Sequence, residues 1–368
     1  WITAAVCAIG GTLGVMFSVP LRRALVTGSD LPYPEGVAAA EVLRVGFGSA
    51  NGAAENAKGL RMIVLGSLTS AGFALLAAMK VAAAEVATTF RVGAGASGAS
   101  TSLSMALIGV GHLVGLSVGI AMAVGMLVTW AGLVPILTAM HGASGDIAAL
   151  VDDTFRNDVR FIGAGTIGVA ALWSLLRILG PIIRGIRAAM ATADARKSGQ
   201  ALALTERDLP IGIVGGTILA LLLPIAGLLW VFAADTAIAD GIAPVILGTL
   251  VYVLVIGVVI ASVCGYMAGL IGASNSPVSG VGILAVLGAA LLLVLVYGRG
   301  GTVEQTQALI AYAIFTTGIV FSIATISNDN LQDLKTGQLV GATPWKQQVA
   351  LVIGVIFGSL VIPPVLDL

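Results

Sequence analysis

Charge is what this chain of 368 residues lacks most. Asp, Glu, Lys and Arg together make up 10% of it, against roughly a quarter of a soluble domain. Apolar residues make up 58%, and mean hydropathy is +1.05. Such a composition reads as an all-α polytopic integral membrane protein, with the lipid bilayer as its solvent. The 18 basic residues are matched by 18 acidic ones, so there is no basic excess and no nucleic acid is expected as a partner. Cys7 and Cys264, the two cysteines, both lie in apolar runs, which suits neither a disulfide framework nor a zinc site. His112 and His141 are the two histidines, too few for a histidine-built metal cage. No phosphate loop for ATP, no His-Glu-x-x-His, no nucleophile elbow and no Cys-x-x-Cys is present. The sequence therefore calls for no enzyme activity, no cofactor and no bound metal.

Glycine, by contrast, is abundant: 49 residues, nearly twice the usual share of about 7%. Several glycines are spaced four apart: Gly10 and Gly14; Gly111, Gly115 and Gly119; Gly212 and Gly216; Gly265 and Gly269; Gly354 and Gly358. In apolar helices this spacing lets backbones approach closely.

Runs of roughly 20 apolar residues, long enough to span a bilayer, cover 1–21, 60–84, 160–179, 211–232, 242–270, 281–297, 306–326 and 349–365. A longer run covers 105–138. Together they predict about nine or ten transmembrane helices with broken or re-entrant segments. The chain opens inside an apolar run at Trp1 and ends at Leu368 without a polar tail. It reads as one transmembrane domain over 1–368, a fragment of a longer protein.

Loop charge sets the expected orientation. Residues 177–208 carry six bases against three acids; the portion around 180–208 is thus expected as a basic cytoplasmic loop. Counting from it puts 233–241 and 298–302 outside and 272–280 and 327–348 inside. Residues 141–158 fall outside. The basic stretch 22–61 also belongs inside, which leaves the run from 105 one crossing out of step. A break at Gly111–Gly115 resolves this, with a short half-helix before Gly115 and a full helix over 116–137. Residues 93–102, all Gly, Ala, Ser and Thr, read as a flexible linker.

Three polar islands interrupt the apolar chain. The first, at 30–44, opens with Asp-Leu-Pro-Tyr-Pro-Glu-Gly. Pro32 and Pro34 forbid helix there and push the residues before them to extended geometry. Glu35 then sits at a helix N-terminus, with Glu41 and Arg44 three apart on the helix that follows. These carboxylates either make a capped interfacial helix with a surface ion pair or face a membrane cavity and carry a proton. The second, at 272–280, is Gly-Ala-Ser-Asn-Ser-Pro-Val-Ser-Gly, either a plain turn or a helix break that binds substrate. The third, at 327–346, places Asn328, Asp329, Asn330, Asp333 and Lys335 directly against an apolar run, as a solvated loop or a cargo contact.

Together the islands resemble the signatures of the oligopeptide transporter family. Leu31-Pro-Tyr-Pro-Glu-Gly-Val-Ala with Ala40-Glu-Val-Leu resembles its N-terminal motif, and Asn275-Ser-Pro-Val-Ser-Gly its central one. Asn330-Leu-Gln-Asp-Leu-Lys-Thr-Gly followed by Gly341-Ala-Thr-Pro resembles its late one. Gly115-Leu with Gly119, Trp130 and Pro135 is similar to its long-helix pattern. The closest similarity is to prokaryotic members.

The resemblance implies a multi-pass protein of the cell membrane, in a bacterium the inner membrane. It further implies proton-coupled symport of small oligopeptides, or of metal chelates such as siderophores and metal–amino-acid complexes. Glu35 and Glu41 are the candidates for proton coupling. Tyr33, Asn275, Ser276, Asn328, Asn330, Asp333 and Lys335 are the candidates for substrate contact or gating. The resemblance places cargo near the midplane, in broken helices. The loop count instead puts all three islands on the cytoplasmic side, as an inner gate unless one re-enters. A non-transporting membrane scaffold is the alternative of another class. Cargo, coupling ion and oligomeric state are not specified by the sequence.

Overall fold

The computed structural model describes residues 1–46, 53–142, 145–197, 203–239, 241–276, 278–298 and 301–367. In chain order the elements are α1 (Ile2–Leu21), α2 (Pro34–Gly46), α3 (Ala53–Ala78), β1 (Glu85–Val92), β2 (Gly95–Ser102), α4 (Met105–Val114) and α5 (Leu116–Leu127). They continue with α6 (Val134–His141), α7 (Ile147–Thr154), α8 (Arg160–Lys197), α9 (Ile211–Ala234), α10 (Ile242–Ile271), α11 (Val278–Tyr297), α12 (Val303–Leu339) and α13 (Pro344–Leu366). Three widened π-type stretches prolong their neighbours: Arg22–Thr27 after α1, Val128–Leu133 between α5 and α6, and Phe155–Val159 between α7 and α8.

Among the described residues, eight helical segments are long and apolar enough to cross a membrane. The chain is thus an all-α polytopic membrane protein. The expected apolar run at 160–179 lies within α8. The half-helix expected before Gly115 is α4, ten residues long. Gly115 ends it with φ 87°, a left-handed conformation that glycine adopts without steric penalty. The full helix expected after it runs from Leu116 to His141.

The chain forms two compact units, Trp1–Val37 with Ile167–Leu368, and Ala38–Thr166. In the first, α1 packs on α9, α12 and α13, and α12 packs on α10 and α11. Leu13, Phe17, Ile225, Leu229, Val253, Tyr312, Ile319 and Ile323 are buried in its core. Two of the glycine pairs act as expected. A Cβ at Gly10 would lie 2.8 Å from the Ile319 carbonyl oxygen, and one at Gly14 2.9 Å from that of Ile323. A Cβ at Gly269 would lie 2.9 Å from Leu31 and Tyr33, and one at Gly265 would strike Leu331. The glycines at 111, 115, 119, 212, 216, 354 and 358 instead face open space among the described residues.

Three further expectations are corrected. Residues 327–339 are not a loop but the last three turns of α12, a helix of 37 residues. That stretch has no proline, and neighbouring backbone supplies partners for Ser327, Asn328, Gln332 and Thr336. The basic segment expected as a loop over 180–208 is helical to Lys197. Residues 198–202 lie outside the described ones, as do Asp240 and Pro277. The supposed linker 93–102 supplies strand β2, paired antiparallel with β1 from Glu85↔Ser102 to Val92↔Gly95. The β-branched and aromatic residues of β1 (Val86, Thr88, Thr89, Phe90, Val92) favour the strand, and Gly93 turns with φ 59°.

The hairpin belongs to the second unit, where the start of β2 is buried against α6. The hydroxyl of buried Thr138 accepts the Ala96 N–H at 2.8 Å and lies 3.0 Å from the Ala96 carbonyl. Ser97 donates to the carbonyl of Trp130, within the widened stretch 128–133. Trp130 stacks on Phe155 with centroids 5.2 Å apart. The hairpin and this helix line a largely apolar cleft of about 440 Å³. None of the sequence-predicted site residues lies there.

Candidate functional site

The three polar islands meet in the first unit, at the start of α2, the C-terminal end of α10 and the polar end of α12. Pro34 is preorganised for the first turn of a helix, so α2 begins at Pro34 with Glu35 in its first turn. Tyr33 before it is not extended, as its place before proline would suggest; its φ is +44°. A non-glycine residue there costs on the order of 1–3 kcal/mol. Three contacts hold it. Its N–H donates to the Gly269 carbonyl at 2.8 Å, its hydroxyl donates to the Leu25 carbonyl at 3.1 Å, and its ring is fully buried. Burial pushes the phenol pKa up from its ordinary value of 10.0, so Tyr33 is a neutral donor. Lys335 Nζ stands 5.9 Å from the ring centroid, within cation–π range, and donates to Gln338 Oε1 at 3.1 Å.

Helix α10 ends at Gly272, whose φ of +92° turns the chain away. The N–H groups exposed by that turn point at Glu35. Ala273 N–H donates to Oε2 and Ser274 N–H to Oε1, each at 3.0 Å. Charge-assisted bonds of this kind are roughly twice as strong as neutral ones. Gly272 leaves room for the carboxylate, since a Cβ there would lie 2.8 Å from Oε1. The Ala273 carbonyl accepts from Asn328 Nδ2 and from the Ser276 N–H, both at 3.2 Å. Asn275 Nδ2 donates to the Ile271 carbonyl at 3.2 Å and so caps the end of α10.

Gln332, one turn beyond Asn328, clips two elements to α12. Its Oε1 accepts the Gly36 N–H at 2.7 Å, and its Nε2 donates to the Ala268 carbonyl at 2.6 Å. Thr336, another turn on, donates to the Gly36 carbonyl at 3.0 Å. Residues 328, 332 and 336 form a stripe spaced four apart, which faces one side of a helix. Two amides in this region are incompletely satisfied. Asn328 and Asn330 are 2% and 3% exposed, yet Asn328 Oδ1 and Asn330 Nδ2 have no hydrogen-bond partner among the described residues. A buried polar atom left unpaired costs about 1–3 kcal/mol.

The structure thus brings Tyr33, Glu35, Asn275, Ser276, Asn328 and Lys335 together through the contacts above. Asp333 is exposed one turn after Asp329 on the same helix, and its carbonyl accepts from Gln347 Nε2 at 2.9 Å. Glu41 belongs to the second unit; it is exposed and pairs with Arg44 at 2.6 Å, the expected surface ion pair. Among the described residues no three His, Cys, Asp or Glu side chains cluster to hold a metal.

Sequence reasoning did not single out Gln332, Thr336 or Gly36. The spacing 328/332/336 was the signal for the first two. It also treated Arg22, Arg23 and Asp208 only as loop charge. Arg22 is 1% exposed and forks onto Asp208, Nε–Oδ1 at 2.6 Å and Nη2–Oδ2 at 2.8 Å. Arg23 Nε reaches Oδ2 at 2.9 Å, and Gln348 Nε2 donates to Oδ1 at 2.8 Å. This knot ties the end of α1 to the segment before α9 and to α13.

Comparison with known proteins accords with this architecture. The model of a family described as OPT oligopeptide transporter protein matches residues 1–368. A protein of Haemophilus influenzae, provisionally described as an oligopeptide transporter, is 41% identical over 380 residues. The alignment covers all of this chain and 58% of that protein, so the chain spans somewhat over half the length of its curated relative. No solved structure matches.

Proposed function

Because the chain belongs to the OPT oligopeptide transporter family, we propose that the protein it is part of is a secondary transporter that imports small oligopeptides with protons across the cell membrane. The observation that carries this reading is the bridge from Glu35 to the broken end of α10, through the N–H groups of Ala273 and Ser274. Broken helices supply free backbone donors and acceptors in secondary transporters. Here a carboxylate from another helix occupies those donors. Protonation of either oxygen replaces an acceptor with a donor and removes one of the two bonds. The 272–276 segment is then held to α2 by one bond instead of two, and the released N–H is left for a peptide carboxylate. Proton arrival and site opening are thereby linked.

In this mechanism Glu35 carries the proton, and Glu41, paired with Arg44 on the same helix, is the second candidate. Tyr33 and Lys335 brace the start of α2. Asn275, Ser276, Asn328, Asn330 and Asp333 contact cargo or gate its path. A metal chelate as cargo would be recognised through its organic part.

Uptake by the full-length protein in proteoliposomes under an imposed pH gradient tests this. Labelled di- to tetrapeptides and iron chelates are run side by side. Gradient-dependent peptide uptake is expected. Chelate uptake alone moves the protein to the metal branch, and uptake of neither removes the transport reading in favour of a scaffold.

A further inference from the structure

Beside the end of α10 a buried acceptor has no partner. Asn328 is almost wholly buried. Its Nδ2 is committed to the Ala273 carbonyl and lies 3.4 Å from Asp329 Oδ1. That fixes the amide so that Oδ1 is left as a bare acceptor. Beside it stand the carboxylates of Glu35 and Asp329, close enough for Asp329 to feel the charge of Glu35 and Asp333 that of Asp329. None of the three is in an ion pair among the described residues. The nearby ammonium, Lys335, is engaged with Gln338 and the Tyr33 ring. The C-terminal end of α10 adds the partial negative charge of a helix terminus. All of these features favour a positive ligand. The carboxylates do not converge as a multivalent metal site would require, so a single positive charge fits best.

We propose that Asn328 Oδ1, with the carboxylate of Asp329 beside it, forms a seat for a small monovalent cation, either a sodium ion or the terminal ammonium of a peptide. The chemistry is the same in both cases: oxygen acceptors and one positive charge. Sodium would make the site a second coupling point. The ammonium would orient a peptide with its N-terminus at α12. That second arm rests on the transport reading above, whereas the first does not.

Binding is read as a shift in the thermal midpoint of the full-length protein in detergent, without any gradient, so its outcome is separate from that of uptake. Sodium chloride and ammonium chloride are each compared with choline chloride at equal ionic strength, and triglycine with N-acetyl-triglycine. Stabilisation by sodium alone identifies an ion site. Stabilisation by ammonium and by triglycine, but not by the acetylated peptide, identifies a cargo site. Asp329→Asn, a change at an exposed side chain, should weaken the effect about tenfold in apparent affinity, while Asp329→Glu, which keeps the charge, retains it. No shift with any probe, or an undiminished shift in Asp329→Asn, overturns the proposal.

Discussion

Glu35 and Asn328 hold the two polar ends of one residue, Ala273. The carboxylate accepts its N–H at 3.0 Å, and the amide donates to its carbonyl at 3.2 Å. Residue 273 is therefore a clamp point between α2 and α12, which lie nearly 300 residues apart in the chain. Replacing Glu35 by Gln keeps one carbonyl acceptor but removes the charge and the titration. The expected outcome is a loss of at least about a hundredfold in gradient-driven peptide uptake, the lower end of the range for removal of a proton-transfer group. Glu41→Gln is measured beside it. Loss in Glu41→Gln alone moves the coupling to Glu41, and two intact variants show that neither carboxylate couples protons.

Gly272 is the hinge that lets the clamp close. With φ +92° and a prospective Cβ 2.8 Å from Glu35 Oε1, Gly272→Ala meets backbone strain and a collision together. A destabilisation of about 1–3 kcal/mol is expected. A lower thermal midpoint for Gly272→Ala than for Gly354→Ala, whose Cβ would face open space, is the measurement. Equal midpoints would show that the end of α10 is not held as described.

Tyr33 carries a pH signature. Its pKa is raised in the folded protein above 10.0, so the folded state keeps the phenol proton longer than the unfolded one. The stability this contributes is fully present below pH 10 and is lost progressively as pH rises above it. Tyr33→Phe should cost about 1 kcal/mol at neutral pH, for the bond to the Leu25 carbonyl. The gap between variant and wild type should then narrow in alkali. A gap that widens above pH 10 would contradict the burial of this phenol.

How much of this was legible beforehand differs by element. The spans were readable because apolar length alone specifies a bilayer crossing. The break at Gly115 was readable because loop parity left the run from 105 one crossing out of step and Gly111 and Gly115 offered the place for it; the left-handed φ that ends α4 there came only with the structure. The polar end of α12 was misread because Asn328, Asp329, Asn330 and Asp333 look like a solvated loop. The neighbouring backbone of Ala273, Ala268 and Gly36 gives Asn328, Gln332 and Thr336 their partners, and the helix runs on through them. The hairpin was missed because β2 is built of Gly, Ala and Ser with a single Thr, too little strand preference to read; its pairing comes from β1 and its burial from Thr138. Which residues clustered was visible in the three islands, but the partners Gln332 and Arg22–Asp208 required tertiary geometry.

Thr138 is what holds the hairpin to α6 in the second unit. Thr138→Val keeps the shape of the side chain but removes the hydroxyl that accepts the Ala96 N–H. A buried N–H is left unpaired, at a cost of about 1–3 kcal/mol. Since about 1.4 kcal/mol is a factor of ten in an equilibrium, amide hydrogen exchange over 85–102 should accelerate roughly tenfold to a hundredfold. Exchange over 327–339, in the other unit, should stay as it was. Unchanged exchange over 85–102 would mean that the hairpin holds without this bond.

Arg22 and Asp208 offer the sharpest energetic test. Arg22 is buried and its guanidinium forks onto a carboxylate that also receives Arg23 and Gln348. Breaking a buried pair by removing one partner typically costs about 3–5 kcal/mol, because an uncompensated charge remains. Replacing both partners with apolar residues is often far less costly. Asp208→Leu should therefore destabilise the protein severely, and Arg22→Met less so, since Arg23 still faces Asp208. The double variant should be more stable than the two losses added together. The cycle is measured by thermal unfolding in detergent, with uptake followed in parallel. If the losses simply add, the two side chains do not interact, and the junction of α1 with α13 is held by packing and by the bonds of Arg23 and Gln348 to Asp208. If stability recovers in the double variant while uptake does not, the ion pair serves the motion of the transporter rather than its fold.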